Sequence, residues 1–535
     1  MPATERNIEN MPDSASGGRS PFLVALWLAA LGVTLGALGA QPRSSRAAAP
    51  LAPLSTAAGT LGPPGDAAAA CAALVIGDFS MVKDAPSLVV SAEVMQATAE
   101  LPRLCLVNGQ IAPTIGYRMW MPLDIWNGKF AQGGCGGRCG YILNEGCEVV
   151  VERGYACLAA DLGHKGTMYD NLWAIDNVPG EIDFGFRATH VATITGKELT
   201  RRFYGREAKY SYYFGASTGG RQGLVAAQRF PRDFDGIIAG EPAMETPGEE
   251  QGQAGGKLFA TVARLSSGGK ALLSPAEILA LHERAIARCD MDDNLKDGII
   301  ADPRRCDFDP AELRCAGAKT SACLTDSQVD LVRGLYASGP LPGSEKAWIG
   351  AYVTADGRPG RYGPRYENAY RYPYSWIFND ATNPDLRPFM KHGGKLILYQ
   401  GWADEATFPR NPVGYYETVE RLIGSRDATQ SFFRLFMIPG ESHIPVNGGA
   451  ETVDYLSYLE AWVERGEAPN VLLAAKLKKH ERFAGPVTYR VYLDPTNIAF
   501  TRPVYPYPVQ ARYRSGDPNG AASFVPYTPV GKILR

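Results

Sequence analysis

The residue best suited to chemistry is Ser217, which stands in the segment GASTG at 215–219. The aromatic run at 210–214 predicts a buried strand before it, and residues 221–230 predict a helix after it. A G-x-S-x-G segment between strand and helix is typical of a nucleophile elbow, a sharp turn that needs small residues beside the serine. There the N–H of Thr218 is free to stabilise an oxyanion. The same letters also fit a glycine-rich loop that happens to contain a serine.

An acid and a histidine follow at the ends of two later predicted strands. The apolar run at 394–400 precedes Asp404, and the apolar run at 432–438 precedes His443. Both side chains therefore lie on loops that leave strand ends, where open α/β sheets collect catalytic groups. The order Ser, Asp, His is that of α/β-hydrolases. In such a set the histidine takes the serine proton, so that the serine attacks an acyl carbonyl.

Composition and patterning predict a large enzyme of the α/β class. The chain has 535 residues, of which 45% are hydrophobic and 21% charged, enough for a hydrolase core plus an inserted domain. A formal net charge of −2 gives no bulk attraction to nucleic acid. We predict an α/β-hydrolase core over 71–241 and 386–535. Residues 242–385 lack the alternation of strands and helices, and we predict that they form an inserted lid domain.

The N-terminus predicts export. Residues 21–40 are apolar, follow a polar segment that ends near Arg19, and precede an Ala-rich stretch. We interpret 1–49 as a signal peptide and 50–70 as a disordered lead-in, so the protein is expected to be secreted or periplasmic. The apolar run is about long enough to span a bilayer. An uncleaved anchor is therefore the alternative, and membrane association is expected only in that case.

Ten cysteines, all after this segment, predict disulfide bonds in an exported chain. Close neighbours in sequence are the expected partners. The candidates are Cys71, Cys105, Cys289, Cys306, Cys315 and Cys323. Pairing among Cys135, Cys139, Cys147 and Cys157 stays open, because connectivity does not follow from sequence alone. Reduced thiols in a cytosolic protein are the alternative, which conflicts with export.

A second chemical cluster is the acidic segment at 289–302. Its carboxylates repel one another unless a cation lies among them, and hard oxygen ligands in a flexible loop suit Ca²⁺. The predicted ligands are the side chains of Asp290, Asp293 and Asp297 and the carbonyls of Leu295 and Ile299. The register of an EF-hand fails here, and a Cys289–Cys306 disulfide would close a loop of another design. A solvated acidic turn is the alternative.

Taken together, these motifs resemble the tannase/feruloyl esterase family, the group that also includes mono(2-hydroxyethyl) terephthalate hydrolase. The similar segments are GASTGGRQG at 215–223, GGKLILYQGWAD at 393–404, PGESH at 439–443, the acidic loop at 289–298, DLGH at 161–164 and FGFRATH at 184–190. The resemblance extends from about residue 71 to residue 469. It implies that Ser217 is the nucleophile, Asp404 the orienting acid and His443 the general base. It also implies a structural Ca²⁺ on the five ligands named above.

Two departures from the family pattern concern the same region. The family usually has cysteines directly before the serine and directly after the histidine, joined as a disulfide, where this chain has Ala216 and Ile444. An apolar contact is expected to replace that link. The family's glycine-rich oxyanion loop corresponds to 133–140, which here contains two cysteines. Its glycine spacing implies that a backbone N–H near Gly136 acts with that of Thr218.

The resemblance implies a secreted serine carboxylic ester hydrolase for esters of aromatic or phenolic acids, of feruloyl, galloyl or terephthaloyl type. The expected partner is a small aromatic ester, with Arg371 near an acid group and Trp376 stacking on the ring. One alternative is a serine peptidase on the same fold, but no repeat typical of a gating domain is visible. The other is a non-catalytic binding module, but such modules usually lose a residue of the Ser-Asp-His set.

Overall fold

A computed structural model describes most of the chain after residue 61. The described residues are 62–63, 65–170, 172–244, 266–267, 270–358, 360, 375–443, 448–479, 495–530 and 533. The predicted signal peptide and most of the predicted lead-in lie outside them, as do Arg371 and Ile444. Among the described residues, no helix has both the length and the apolar character that crossing a membrane requires.

The described part of the chain contains fifteen strands, nine of which form one mixed sheet. The strands are β1 (Ser87–Met95), β2 (Leu104–Ile111), β3 (Ile115–Pro122), β4 (Lys129–Gly133), β5 (Ala156–Ala160), β6 (Tyr210–Ala216), β7 (Gly236–Gly240), β8 (Ser266–Ser267), β9 (Lys270–Ala271), β10 (Lys395–Gly401), β11 (Phe433–Ile438), β12 (Leu472–Leu477), β13 (Ile498–Val504), β14 (Gln510–Tyr513) and β15 (Phe524–Tyr527). The order in the large sheet is β1-β2-β3-β5-β4-β6-β7-β10-β11. The pairings from β1 to β5 are antiparallel, and those from β5 to β11 are parallel.

The parallel half of the sheet forms because apolar residues fill its strands without polar alternation. Strands β7 and β11 are buried at every position, and β10 is buried at all but its first. Continuous burial is typical of parallel strands that are covered on both faces. Since parallel strands end at the same edge, the loops after β4, β5, β6, β7, β10 and β11 open at one edge of the sheet.

Thirteen α-helices accompany the strands among the described residues. They are α1 (Ala67–Ala73), α2 (Glu145–Glu152), α3 (Val178–Ile182), α4 (Ala188–Tyr204), α5 (Thr218–Arg229), α6 (Pro275–Cys289), α7 (Asp326–Ser338), α8 (Glu345–Ala351), α9 (Ser375–Asn379), α10 (Arg387–His392), α11 (Arg410–Ile423), α12 (Arg426–Gln430) and α13 (Tyr455–Arg465). Helices α2, α4, α5 and α13 pack against the large sheet. Helix α1 begins at Ala67 with Asp66 as its N-cap, so ordered chain starts before the boundary predicted at Cys71.

The middle section, residues 241–394, leaves the sheet between two strands that pair directly, β7 and β10. It has a hydrophobic core of its own, in which Leu281 of α6 and Trp348 of α8 are fully buried. Helix α6 begins with a capping box in which Ser274 and Glu277 satisfy each other's backbone N–H groups. The section is therefore an insertion between neighbouring strands of the large sheet.

In the described residues after 386, the strands that belong to the large sheet are β10 and β11. Strand β12 pairs with β13, and β14 pairs with β15, as two separate antiparallel pairs. The Tyr507 N–H donates to the Leu435 carbonyl at 2.8 Å, which attaches this segment to β11. The domain bounds predicted for 386–535 stay a prediction.

All ten cysteines are paired. The disulfides are Cys71–Cys105, Cys135–Cys139, Cys147–Cys157, Cys289–Cys306 and Cys315–Cys323. The prediction of disulfide bonds is confirmed, and the four cysteines whose pairing was open form Cys135–Cys139 and Cys147–Cys157. One disulfide therefore lies inside the glycine-rich loop after β4, and another closes the acidic loop after α6.

Candidate active site

Ser217 lies in a sharp turn between β6 and α5. Its φ of 59° and ψ of −120° belong to a backbone region that residues other than glycine rarely adopt. A Cβ on Gly215 would lie 2.7 Å from the backbone of Gly219, so the turn tolerates only small flanking residues. The Ser217 N–H donates to the Gly240 carbonyl at 2.9 Å, which fixes the turn to the end of β7. The serine hydroxyl therefore stands at the N-terminus of α5.

The imidazole of His443 connects Ser217 to Asp404. Its Nε2 lies 3.1 Å from Ser217 Oγ, and its Nδ1 lies 3.1 Å from Asp404 Oδ2. The three residues follow β6, β11 and β10, whose carboxyl ends meet at one edge of the sheet. With Nδ1–H donating to Asp404, Nε2 is the acceptor for the Ser217 hydroxyl.

Asp404 is fully buried and accepts four further hydrogen bonds. Its Oδ1 accepts from the N–H groups of Ala406 and Thr407, each at 2.8 Å. Its Oδ2 accepts from the Thr407 hydroxyl at 2.6 Å and from the Gln400 amide at 2.8 Å. Burial by itself would raise the pKa of Asp404, but His443 and these hydrogen bonds outweigh it and lower the pKa. The carboxylate is therefore ionised and fixed in position.

The negative charge beside His443 makes it a stronger base. Burial by itself would lower the pKa of His443, but Asp404, followed by Glu241 and Glu405, raises that pKa above its ordinary value. A raised pKa favours the imidazolium that forms when Nε2 takes the Ser217 proton. The arrangement can therefore generate a serine nucleophile and later return the proton to a leaving group.

The glycine-rich loop at 133–140 lies against the elbow. The Thr218 hydroxyl donates to the Gly137 carbonyl at 2.6 Å. A Cβ on Gly134 would come within 2.7 Å of the Gly219 Cα, so the two backbones approach closely. The glycines in this loop and in the elbow thus let the two segments approach each other.

The two N–H groups named from the sequence for an oxyanion lie on these two segments. Thr218 is the first residue of α5, and the first N–H groups of a helix have no carbonyl partner within it. A Cβ on Gly136 would meet no described atom within 4 Å, so Gly136 borders open space. This arrangement leaves room for a substrate carbonyl to approach the backbone of both segments.

His164 holds the backbone of the glycine-rich loop at 133–140, a role that we did not predict from the sequence. Its Nε2–H donates to the Arg138 carbonyl at 2.7 Å, and its ring stacks on Trp173 with centroids 3.8 Å apart. The Arg138 N–H in turn donates to the Met168 carbonyl at 2.9 Å. The sequence signal for this role was the position of His164 just after β5, in the DLGH segment. His164 therefore positions backbone next to the predicted oxyanion site.

Three buried glutamates lie near the Ser-Asp-His set and were not predicted, and two of them contact His443. Glu241 Oε2 lies 3.4 Å from His443 Nδ1, and Glu405 Oε2 accepts the His443 N–H at 3.1 Å. Glu441 is two residues before His443. Burial first, and then the charge of Asp404 among other neighbours, raises the pKa of these carboxyls, that of Glu405 to about 8. The available signal was that Glu241 directly follows the short apolar segment GIIAG at 236–240.

The acidic loop is closed by the Cys289–Cys306 disulfide. Asp290 Oδ1 accepts the N–H groups of Gly298 and Ile299 at 2.9 and 3.2 Å. Asp297 Oδ2 forms an ion pair with Arg502 at 2.6 Å. These contacts hold two of the predicted ligand side chains against the loop backbone and against β13.

The remaining predicted ligands are less tightly gathered. Asp293 Oδ1 accepts the Leu295 N–H at 3.0 Å. Within the described residues, the carboxylates of this loop do not come within 4.8 Å of one another as a set of three. The donors are nevertheless all oxygen atoms of one short, disulfide-closed loop, the chemistry that Ca²⁺ prefers. The residues present therefore fit a hard cation.

The two predicted substrate contacts are not placed by the structure. Arg371 lies outside the described residues. Trp376 belongs to α9, whose backbone alone is described at that position. Both residues therefore stay predictions.

Comparisons with known proteins identify a family and several relatives of this chain. Residues 97–357 and 367–526 match the model of the family described as tannase and feruloyl esterase. A mono(2-hydroxyethyl) terephthalate hydrolase of Piscinibacter sakaiensis is 30% identical over 574 residues, which cover 86% of this chain and 92% of that protein. A probable feruloyl esterase B-2 of Aspergillus flavus is 31% identical over 427 residues, covering 71% and 80%.

A solved structure extends the agreement to the fold. Feruloyl esterase B from Aspergillus oryzae superposes with a TM-score of 0.71 at 25% identity, and the match covers 86% of this chain and 100% of that one. The fold, the site and the relatives together define a carboxylic ester hydrolase. The chain belongs to the tannase and feruloyl esterase family.

Proposed function

We propose that this protein is a secreted serine esterase that hydrolyses small esters of aromatic acids through an acyl-enzyme. The observation that carries the proposal is the hydrogen-bonded series Ser217–His443–Asp404 at the edge of the sheet, beside a glycine-rich loop. A peptidase on the same fold needs the same series, but every relative named above is an ester hydrolase. A non-catalytic binding module does not require this hydrogen-bonded series.

The mechanism follows from the positions of these groups. Ser217 Oγ attacks the ester carbonyl while His443 Nε2 takes its proton, and Asp404 holds the ring and balances its charge. The carbonyl oxygen becomes an oxyanion, which the N–H groups of Thr218 and Gly136 stabilise. The imidazolium then protonates the departing alcohol. Water enters, gives a proton to His443 and attacks the acyl-enzyme, which releases the acid and regenerates Ser217.

The acyl group is proposed from the relatives' substrates. Galloyl and terephthaloyl groups carry the ester carbonyl directly on a planar aromatic ring, and a feruloyl group carries it on a vinyl group conjugated with such a ring. Such a ring stacks on aromatic side chains, which contributes roughly 0.5–1.5 kcal/mol beyond its buried area. We assign the covering of this ring to the insertion at 241–394, acting as a lid, with Trp376 and Arg371 as contacts.

A structural calcium ion is also part of this proposal. The side chains of Asp290, Asp293 and Asp297 and the carbonyls of Leu295 and Ile299 would hold it. It would add no step to ester hydrolysis and would stabilise the fold of the insertion. The five disulfides support export, since such bonds persist in oxidising compartments.

The substrate class is tested with a panel of esters. Methyl ferulate, methyl gallate, chlorogenate and mono(2-hydroxyethyl) terephthalate are compared with a long-chain p-nitrophenyl ester and with the amide of ferulic acid. At least one aromatic ester is expected to give the highest kcat/KM, with little turnover of the long-chain ester or the amide. Faster hydrolysis of the long-chain ester would overturn the substrate class and leave the mechanism standing.

A further inference from the structure

Two acids, not one, end on neighbouring strands beside His443. Glu241 directly follows β7, and Asp404 follows β10. These strands pair in parallel, with Gly240 opposite Tyr399, and the Glu241 N–H donates to the Tyr399 carbonyl at 2.8 Å. The sheet thus delivers a second carboxyl group to the same side of the imidazole as the first.

Both acids face the same nitrogen atom. His443 Nδ1 lies 3.1 Å from Asp404 Oδ2 and 3.4 Å from Glu241 Oε2. Of the described residues, this is the one set of three His, Cys, Asp or Glu side chains whose polar atoms all lie within 4.8 Å of one another. Glu241 is therefore close enough to accept the Nδ1–H that normally orients a catalytic histidine.

Glu241 is held there at a cost that packing alone does not explain. The residue is buried, and its φ of 41° lies in the left-handed region, which non-glycine residues seldom adopt. Its Oε1 has no hydrogen-bond partner among the described residues. A strained backbone and an unsatisfied buried carboxyl oxygen are both destabilising. Such features are retained mostly where a site uses them.

The two acids differ in how well their charge is stabilised. Asp404 accepts five hydrogen bonds, including the one from His443. The titratable groups that face Glu241 are Asp404, Glu405, Glu441, His443 and Tyr399. Burial first, and then the charges of Asp404 and Glu441, raises the pKa of Glu241 well above its usual range. Asp404 therefore ionises more readily than Glu241.

We propose that Glu241 is a second positioning acid, which shares the Nδ1–H of His443 with Asp404 and replaces Asp404 when that carboxylate is lost. The proposal rests on the function proposed above. Loss of Asp404 removes a negative charge that raises the pKa of Glu241, so Glu241 ionises more readily. Its carboxylate then accepts the Nδ1–H and balances the imidazolium formed during attack by Ser217.

The test is a double-mutant comparison of Glu241→Gln in two backgrounds. Gln has the shape of a protonated Glu but cannot ionise. In the otherwise unchanged enzyme, Glu241→Gln is expected to lower kcat by about 3-fold, because Asp404 still orients His443. Asp404→Ala alone is expected to lower kcat by about 10²-fold, instead of the roughly 10⁴-fold typical when the acid of a triad is removed. Adding Glu241→Gln to Asp404→Ala is expected to remove at least a further 10-fold, with KM little changed.

The substrate is p-nitrophenyl acetate, so that the result does not depend on acyl specificity. The rate of Ser217 labelling by a fluorophosphonate gives a second readout, and melting temperatures show whether each variant folds. Glu181→Gln in the Asp404→Ala background is the matched control, a buried glutamate that also has a carboxyl oxygen without a partner among the described residues but makes no described ion pair with His443. It is expected to change kcat less than 2-fold.

The pH profile distinguishes a Glu241 that ionises and orients His443 from a Glu241 that only packs beside it. The Asp404→Ala variant is expected to lose activity as pH falls through the pKa of Glu241, because the carboxylate becomes protonated. The double variant, which also carries Glu241→Gln, is expected to show no such loss. A further loss of less than 10-fold on adding Glu241→Gln would overturn the proposal. Ser217→Ala is assayed alongside, so that failure of the serine mechanism is distinguished from failure of the role proposed for Glu241. If it retains activity, the serine mechanism fails; if it is inactive while Glu241→Gln adds nothing, only the role of Glu241 fails.

Discussion

The hydroxyl of Thr218 donates to the carbonyl of Gly137 at 2.6 Å and so ties the nucleophile elbow to the glycine-rich loop. The two segments are far apart in sequence, and the N–H groups proposed for the oxyanion lie one on each. This bond, together with the Cys135 N–H that donates to Gln222 Oε1 at 3.3 Å, sets the distance between these N–H groups. Oxyanion stabilisation requires both donors at about 3 Å from the same oxygen.

Replacing Thr218 with Val removes this hydroxyl while keeping the shape of the side chain. We expect kcat to fall about 10-fold, because displaced donors weaken transition-state stabilisation. KM is expected to stay within 2-fold, and the unfolding free energy to fall by about 1 kcal/mol for one buried hydrogen bond. Steady-state kinetics with methyl ferulate measure the first two values. Thr218→Ser is the control and should retain most activity; a Val variant as active as the Ser variant would contradict the role of the bond.

Removing the Cys135–Cys139 disulfide should also affect kcat more than stability. The bond closes a short segment inside the glycine-rich loop, so it contributes about 2 kcal/mol or less through chain entropy. Changing both cysteines to Ala is expected to lower kcat at least 10-fold and to change KM less than 3-fold. Cys315 and Cys323, changed together to Ala, form the matched control in the insertion. Equal effects on kcat in the two double variants would contradict a specific role for the loop disulfide.

The charge around His443 predicts an alkaline shift in the activity profile. The general base works in its neutral form, and Asp404 raises the pKa of His443 above 6.5. Activity is therefore present above that raised pKa and is lost as pH falls through it. We expect the acidic limb of kcat/KM to lie above pH 6.5, measured between pH 5 and 10 in buffers of constant ionic strength. A limb at or below 6.5 would show that the surrounding carboxyls do not act on His443 as described.

The acidic loop predicts a dependence of stability on calcium. An ion that binds only the folded state stabilises it by mass action, by about 2.7 kcal/mol at a hundred times its dissociation constant. Chelation is expected to lower the melting temperature by at least about 3 °C and added Ca²⁺ to restore it. Asp293→Asn should reduce the response to Ca²⁺, whereas Asp307→Asn, an exposed acid beyond the disulfide, should not. If the purified protein contains no calcium and chelator does not change its melting temperature, the acidic loop is a solvated turn and not a calcium site.

The sequence predicts the elements that hold the Ser-Asp-His set because those elements are locally encoded. Continuous apolar runs place β10 and β11 within one residue of their observed starts. The serine of the elbow is recognisable because its turn admits only glycine and other small residues on either side. Each of these signals lies within about a dozen residues of chain.

Residues brought to the site by pairing of distant segments were not predictable in this way. Glu241 is a single acid after a strand, and only the pairing of β7 with β10 across a long insertion places it beside His443. His164 acts on the glycine-rich loop through the Arg138 carbonyl, a contact between the loops after β5 and β4. The partners of Cys135 and Cys147 likewise depend on loop geometry.

The central claim is that Ser217 forms the acyl-enzyme, and direct trapping of that species tests it. The enzyme is mixed with a fluorophosphonate, or briefly with a slowly hydrolysed aromatic ester and then acid. The peptide that contains Ser217 is then analysed by mass spectrometry. We predict one acyl or phosphonyl group, located on Ser217, and a loss of at least 10³-fold in kcat for Ser217→Ala in a folded protein. A label on another residue, or a Ser217→Ala variant that keeps a tenth of the turnover, would contradict the account.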